Sequence, residues 1–151
     1  MRERKLPILI NETKTISIRE NPIQILGLRW GGLGPRSVRS REHGDELIAQ
    51  SMGVLTPSLD PSAFQILLAH HPHAFDVATK NKIPLTLSGH THGGQLMLTD
   101  SFGFGPAMYR YWSGLYEKDE SKLLVSNGVG NWFPLRINAP AEILHLTLRS
   151  I

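Results

Sequence analysis

The 151-residue chain has no cysteine, which excludes disulfides, thiolate metal ligands and a cysteine nucleophile. It has no apolar run long enough to span a bilayer, and the segment from Met1 to Lys5 lacks the apolar core of a signal peptide, so the expected compartment is cytoplasmic. Charge of one sign is also scarce. Sixteen Lys and Arg against 13 Asp and Glu leave a formal charge of +3, a mild match for an anionic substrate. No dense basic stripe interleaved with aromatics marks nucleic acid as a partner. The Gly-x-Ser-x-Gly turn that exposes a hydrolase serine is absent as well. That removes an esterase reading, although His92-Gly93-Gly94 is similar to an oxyanion loop.

What the chain does have is histidine, in two clusters. Leu87-Ser88-Gly89-His90-Thr91-His92-Gly93-Gly94-Gln95 sets two imidazoles one residue apart in a glycine-flanked turn behind an apolar run. Leu67-Leu68-Ala69-His70-His71-Pro72-His73 lies upstream and also follows an apolar run. Neutral imidazole suits the borderline transition metals, and glycines let the backbone turn tightly beside an ion. Two His at this spacing can point apart and serve two adjacent metals, as a two-metal hydrolytic centre requires.

With 40% hydrophobic and 19% charged residues the chain is globular, and its length suits one domain. Pro7 to Ile10, Thr15 to Arg19 and Ile23 to Leu28 read as consecutive strands, and Trp30 to Arg41, rich in Gly, Pro, Ser and Arg, as a loop. Asp45 is placed to cap a helix carrying Leu47, Ile48 and Met52, which Gly53 would end. Gln65 to Ala69 reads as a buried strand, Ala74 to Lys80 as a helix, and Leu85 to Leu87 as a strand. A strand, helix, strand unit puts both strand ends on one sheet edge, where His70 and His90 can meet. A hairpin joins Gly114 to Tyr116 with Leu123 to Ser126, and Ile143 to Leu148 reads as a final strand.

Together the clusters resemble the last two motifs of the calcineurin-like metallophosphoesterase superfamily, an isolated metal-binding His followed by Gly-His-x-His. The tail agrees. Leu124 to Gly130, Pro134 to Ile137 and Glu142 to Leu146 look like the ending of bacterial members, so the resemblance runs from about Ile8 to Leu148. The family's earlier motifs, Asp-x-His, Gly-Asp-x-x-Asp and Gly-Asn-His, do not occur here. His43-Gly44-Asp45 and Gly130-Asn131-Trp132 come nearest and lack the required residues. Ile8 to Glu12 looks like the strand that follows the Gly-Asn-His motif. The resemblance therefore implies an α/β (α+β) fold, the C-terminal half of a four-layer αββα sandwich with mixed sheets. Residues 1–151 would form a single partial domain whose N-terminal half is missing.

By the same resemblance His70 matches the isolated ligand, His90 would share the second metal with it, and His92 would reach the first. His71, Gly89, Gly93 and Gln95 would surround these ligands, with Gln95 positioning the loop or contacting substrate. No catalytic residue is assigned, because the family's catalytic His belongs to the missing half. The family centre holds two divalent ions (Mn, Fe, Zn or Ni), roughly 3.5–4 Å apart, which activate a hydroxide for attack on a phosphomono- or phosphodiester. The alternative is a noncatalytic remnant or metal-binding module. Either reading implies a partner for the uncovered half, an N-terminal-half chain or a second copy. His43 and His145 lack a motif and read as loop and strand residues. Arg29, Arg36, Arg39 and Arg41 read as a solvated loop. Asp76 and Asp100 do not stand where the family places ligands. Trp30, Tyr109, Tyr111, Trp112 and Trp132 are candidates for core packing or for a pocket wall.

Overall fold

A computed structural model describes residues 7–29 and 41–149. Its centre is a six-stranded mixed sheet in the order β1-β2-β3-β4-β8-β7. These strands are β1 (Glu12–Ile18), β2 (Asn21–Leu28), β3 (Phe64–Ala69), β4 (Leu85–Ser88), β7 (Gly114–Lys118) and β8 (Ser121–Val125). Strands β2, β3, β4 and β8 run parallel, and antiparallel β1 and β7 close the two edges. A small hairpin of β5 (Met97–Thr99) and β6 (Phe102–Gly103) stands apart, followed by the short helix α3 (Phe104–Met108). The α/β class and mixed sheet match expectation.

The residues of each sheet face follow from strand register. Leu26 and Leu28 lie beside Leu67 and Ala69, and Leu67 lies beside Thr86, which neighbours Leu123. This face is covered by α1 (Arg41–Leu55) and α2 (Ala74–Lys80). Ile48, Met52 and Leu55 recur at helical spacing on α1 and are buried with Leu26, Ala74 and Ala78. Each buries a side chain worth about 1.5–3 kcal/mol. The opposite face carries Ile25, Ile66, Leu68, Leu87, Leu124 and Leu115, none of them fully buried, and no described helix covers it.

The β3-α2-β4 unit forms with the expected bounds for α2, and the hairpin of β7 and β8 turns through Asp119 and Glu120. Five local expectations fail. Pro7 to Ile10 is not a strand: the chain there lies against Gly27, where an added Cβ would come 2.3 Å from the Cβ of Leu9, and enters β1 through Asn11 at positive φ. Asp45 does not cap α1, and Gly53 does not end it. The helix starts at Arg41 and runs through Gly53 to Leu55, because burial of Met52 and Leu55 outweighs the helical penalty of about 0.5–1 kcal/mol for one glycine. Arg41 is thus helical rather than part of a loop, and the rest of that loop, residues 30–40, lies outside the described residues.

Ile143 to Leu148 is not a strand either. Alternation of Leu144, Leu146 and Leu148 suits a pleated ladder, but a ladder needs a free edge. Both neighbours of β4 and of β8 are already taken, so the segment lies across them. Together they line an open groove of about 360 Å³ whose walls include Leu87, Leu124, Val129, Ile143 and Leu146. Among the described residues no helix is long and apolar enough to cross a membrane.

Candidate metal centre

His70 directly follows β3, and His90 follows β4 by one residue, Gly89. Because those strands are adjacent and parallel, their C-terminal ends lie side by side, and the N–H of Gly89 donates to the His70 carbonyl (3.3 Å). Nδ1 of His90 stands 3.0 Å from Nε2 of His70. The chain between His90 and Gln95 is wound unusually. His90, His92, Gly93, Gly94 and Gln95 all have φ between 50° and 77°. For the two histidines such a backbone costs of order 1–3 kcal/mol each and needs surrounding structure to hold it.

The hold comes from fully buried neighbours. Thr91 donates its hydroxyl to the Trp112 carbonyl (2.6 Å). Gly94 packs so closely on the α3 start that an added Cβ would meet the Gly105 nitrogen at 2.1 Å. Gln95 is 0% exposed, and its amide nitrogen donates to the carbonyls of Phe133 and Leu135 (both 2.8 Å) while its side-chain oxygen accepts the N–H of Trp132. Its side chain therefore fixes the loop that follows. Arg136 completes the support from outside. Its guanidinium donates to the carbonyls of His92 and Asn127 (both 3.1 Å), Ala139 (2.8 Å) and Gly130, and to Oδ1 of Asn131. Sequence reading gave Arg136 no role, since a guanidinium satisfied by carbonyls leaves no local signature.

His71 and His73 are packed into this cluster rather than set on the surface. The His71 ring lies 4.4 Å from that of His73 and 4.7 Å from that of His90, centroid to centroid. Nδ1 of His73 is 3.9 Å from a carboxylate oxygen of Asp45. Burial pushes His71 down to about 3, helped by the neighbouring His73, His90 and His70. Burial likewise pushes His90 down to about 4, with His70, His92 and His73 adding repulsion, and lowers His70, with His92 contributing. The neutral ring is the protonation state that binds a metal. Tyr109 and Trp132 border the cluster, with ring centroids 5.8 Å from His90 and 5.2 Å from His92, respectively.

Nδ1 of His92 is buried and, among the described residues, has no hydrogen-bond partner. Two nitrogens on one tetrahedral zinc ion stand about 3.3 Å apart, a few tenths of an ångström beyond the 3.0 Å found between His70 and His90. These features suit imidazole ligation. Among the described residues, however, no three His, Cys, Asp or Glu converge as one metal site. The missing component is the carboxylate. Asp76 is engaged by Arg110 (2.8 Å), the Tyr111 hydroxyl (2.9 Å) and Lys118 (3.6 Å), and Asp100 is exposed beyond β5.

Sequence comparison finds relatives of the chain among known proteins. The chain is 39% identical over 106 residues to an uncharacterized metallophosphoesterase of Campylobacter jejuni, covering 68% of this chain and 28% of that one. It is 38% identical over 98 residues to an uncharacterized metallophosphoesterase of Bacillus subtilis (61% and 33%). A phosphodiesterase of Escherichia coli matches at 34% over 94 residues (61% and 35%). The chain belongs to the calcineurin-like metallophosphoesterase superfamily. It spans roughly a third of the length of these relatives. No family profile and no solved structure matches it.

Proposed function

We propose that this chain supplies histidine ligands to a metal-dependent phosphoesterase that cleaves phosphomono- or phosphodiesters, with His70 and His90 on one ion and His92 on a second. The observation that carries the reading is the 3.0 Å approach of His90 Nδ1 to His70 Nε2 at the ends of two parallel strands, beside the unpartnered Nδ1 of His92. A divalent ion held there would polarise phosphoryl oxygens and lower the pKa of a water, so no protein nucleophile is required. The protein's own part is positional. The left-handed backbone at His90 and His92 aims the rings, Gln95 and Arg136 hold the turn, and burial favours the neutral form of His70 and His90. His71, Gly89 and Gly93 act around the ligands: His71 packs its ring against His90, Gly89 joins β4 to His90, and Gly93 fits a space in which a Cβ would meet Asn127 at 2.5 Å.

Three imidazoles without a carboxylate neutralise two dications poorly. Catalysis therefore requires carboxylates from outside the described residues, supplied by another chain or another segment. A noncatalytic metal-binding module that works only with such a partner is the second reading, favoured by the lack of three converging ligands. Manganese-dependent hydrolysis of bis-p-nitrophenyl phosphate by the purified chain tests the proposal, with His92→Ala as control. Turnover abolished by the substitution supports the enzyme. Absence of turnover, together with a single weak site in a metal titration, supports the module.

A further inference from the structure

We propose that Trp132 and Tyr109 form a wall for a planar aromatic group, so that the ester accepted at the histidines bears an aryl or nucleobase moiety. This deepens the phosphoesterase reading and rests on it. Six of the chain's aromatics fall into two sets. Phe75, Tyr111, Tyr116 and Trp112 pack on one another, with centroid separations of 5.0–6.0 Å, beneath the sheet's covered face. That set is core. Trp132 and Tyr109 instead contact the histidines: Trp132 lies 5.2 Å from His92 and 6.4 Å from His90, and Tyr109 lies 5.8 Å from His90 and 6.0 Å from His71. Trp132 remains 41% exposed there. A large apolar side chain left in water beside a polar cluster forfeits burial that a core position would give.

The backbone that carries the indole is nonetheless held. The Trp132 N–H donates to the fully buried Gln95, whose amide also binds the next carbonyl, that of Phe133. A rigid loop that presents an exposed ring lowers the ordering cost of stacking a ligand on it. The two rings stand 6.2 Å apart and are inclined at 37°. Two stacking distances of about 3.5 Å each would be needed to slide a ring between them, so the guest lies on the open indole face with Tyr109 as its flank.

The test is calorimetric titration of the zinc-supplemented full chain with phenylphosphonate and with methylphosphonate. Phenylphosphonate is expected to bind about tenfold more tightly, the effect of one stacked ring. In Trp132→Ala the ratio should fall toward one, and in Trp132→Phe most of it should return. Equal affinities in the unsubstituted chain, or a tenfold ratio that survives Trp132→Ala, would overturn the inference while leaving the phosphoesterase reading in place. Binding of neither phosphonate would overturn both.

Discussion

The side-chain oxygen of Gln95, buried in the turn that carries His90 and His92, accepts the backbone N–H of Trp132, 37 residues downstream. One amide group thus ties the histidine turn to the aromatic loop. Replacing it with an apolar side chain of similar size leaves the Trp132 N–H and the carbonyls of Phe133 and Leu135 without their partner. Gln95→Leu is expected to lower stability by about 3 kcal/mol, since each stranded buried group costs about 1–3 kcal/mol and relaxation recovers part. Urea denaturation would measure it. A loss under about 0.5 kcal/mol, within the usual range for surface changes, would mean that the loop is held by other contacts.

His70 and His90 make a paired prediction. If their facing nitrogens hold one ion, either His70→Ala or His90→Ala weakens zinc binding at least tenfold, while His145→Ala, in the exposed C-terminal segment, leaves it unchanged. Competition against a chromogenic chelator gives the affinities. Equal affinity in all three variants would exclude the pair as ligands.

Acid should destabilise the chain through the same rings. His71 is held at about 3 and His90 at about 4, below the value of about 6.5 for a free imidazole. Between those values the unfolded chain binds more protons than the folded one, so stability rises with pH across that window. The contribution is complete above about 6.5 and is lost as pH falls toward 4 and 3. Thermal melts of the metal-free chain at pH 7.5, 6, 5 and 4 should show a falling midpoint, and His71→Phe should flatten the dependence. A flat profile in the unsubstituted chain would show that the rings are hydrated rather than buried.

The β3-α2-β4 unit was legible because hydrophobic runs, the stop at Asn81 and Pro84, and the crossover rule all act locally. The meeting of His70 and His90 followed from that unit alone. The errors arose where a distant partner decides conformation. Ile143 to Leu148 has the alternation of a strand but finds both central neighbours occupied, and Pro7 to Ile10 has an apolar run that lies on Gly27 instead of pairing. Gly53 follows the same logic within α1: its own propensity favours an end, and the burial of Met52 and Leu55 on either side of it carries the helix through. The support from Arg136 was illegible for a different reason. Its guanidinium acts through backbone carbonyls, among them that of His92, 44 residues away, and no spacing rule records such contacts.

Arg136 should not tolerate lysine. Its planar fork reaches carbonyls on several sides, from His92 to Ala139, whereas a single ammonium has three donors from one point. Arg136→Lys is expected to cost about 2–3 kcal/mol, from two or three lost charge-assisted bonds partly replaced by water. Denaturant midpoints measure this, and zinc affinity should fall with it because the His92 carbonyl loses its anchor. A full-stability variant would show that carbonyls at this loop are solvated rather than bridged.

The uncovered sheet face makes the last prediction. Ile25, Ile66 and Leu68 form an apolar surface across β2 and β3, beside Leu87 and Leu124 at the C-terminal segment, and Leu68 is 42% exposed although it sits in a central strand. Ile143, at 88% exposure, lies at the margin of the same face. An apolar patch spread over several strands attracts a cover, because each such side chain buried is worth about 1.5–3 kcal/mol. The purified chain should therefore self-associate in a concentration-dependent way, or be solubilised by the segment that normally covers it. Analytical ultracentrifugation across a hundredfold concentration range tests this, with Leu68→Glu as the probe. That substitution points into solvent in the isolated chain, so it should weaken association at least tenfold while leaving circular dichroism unchanged. A compact monomer at every concentration would mean that the face is covered from within the chain, and the requirement for a partner would fall with it.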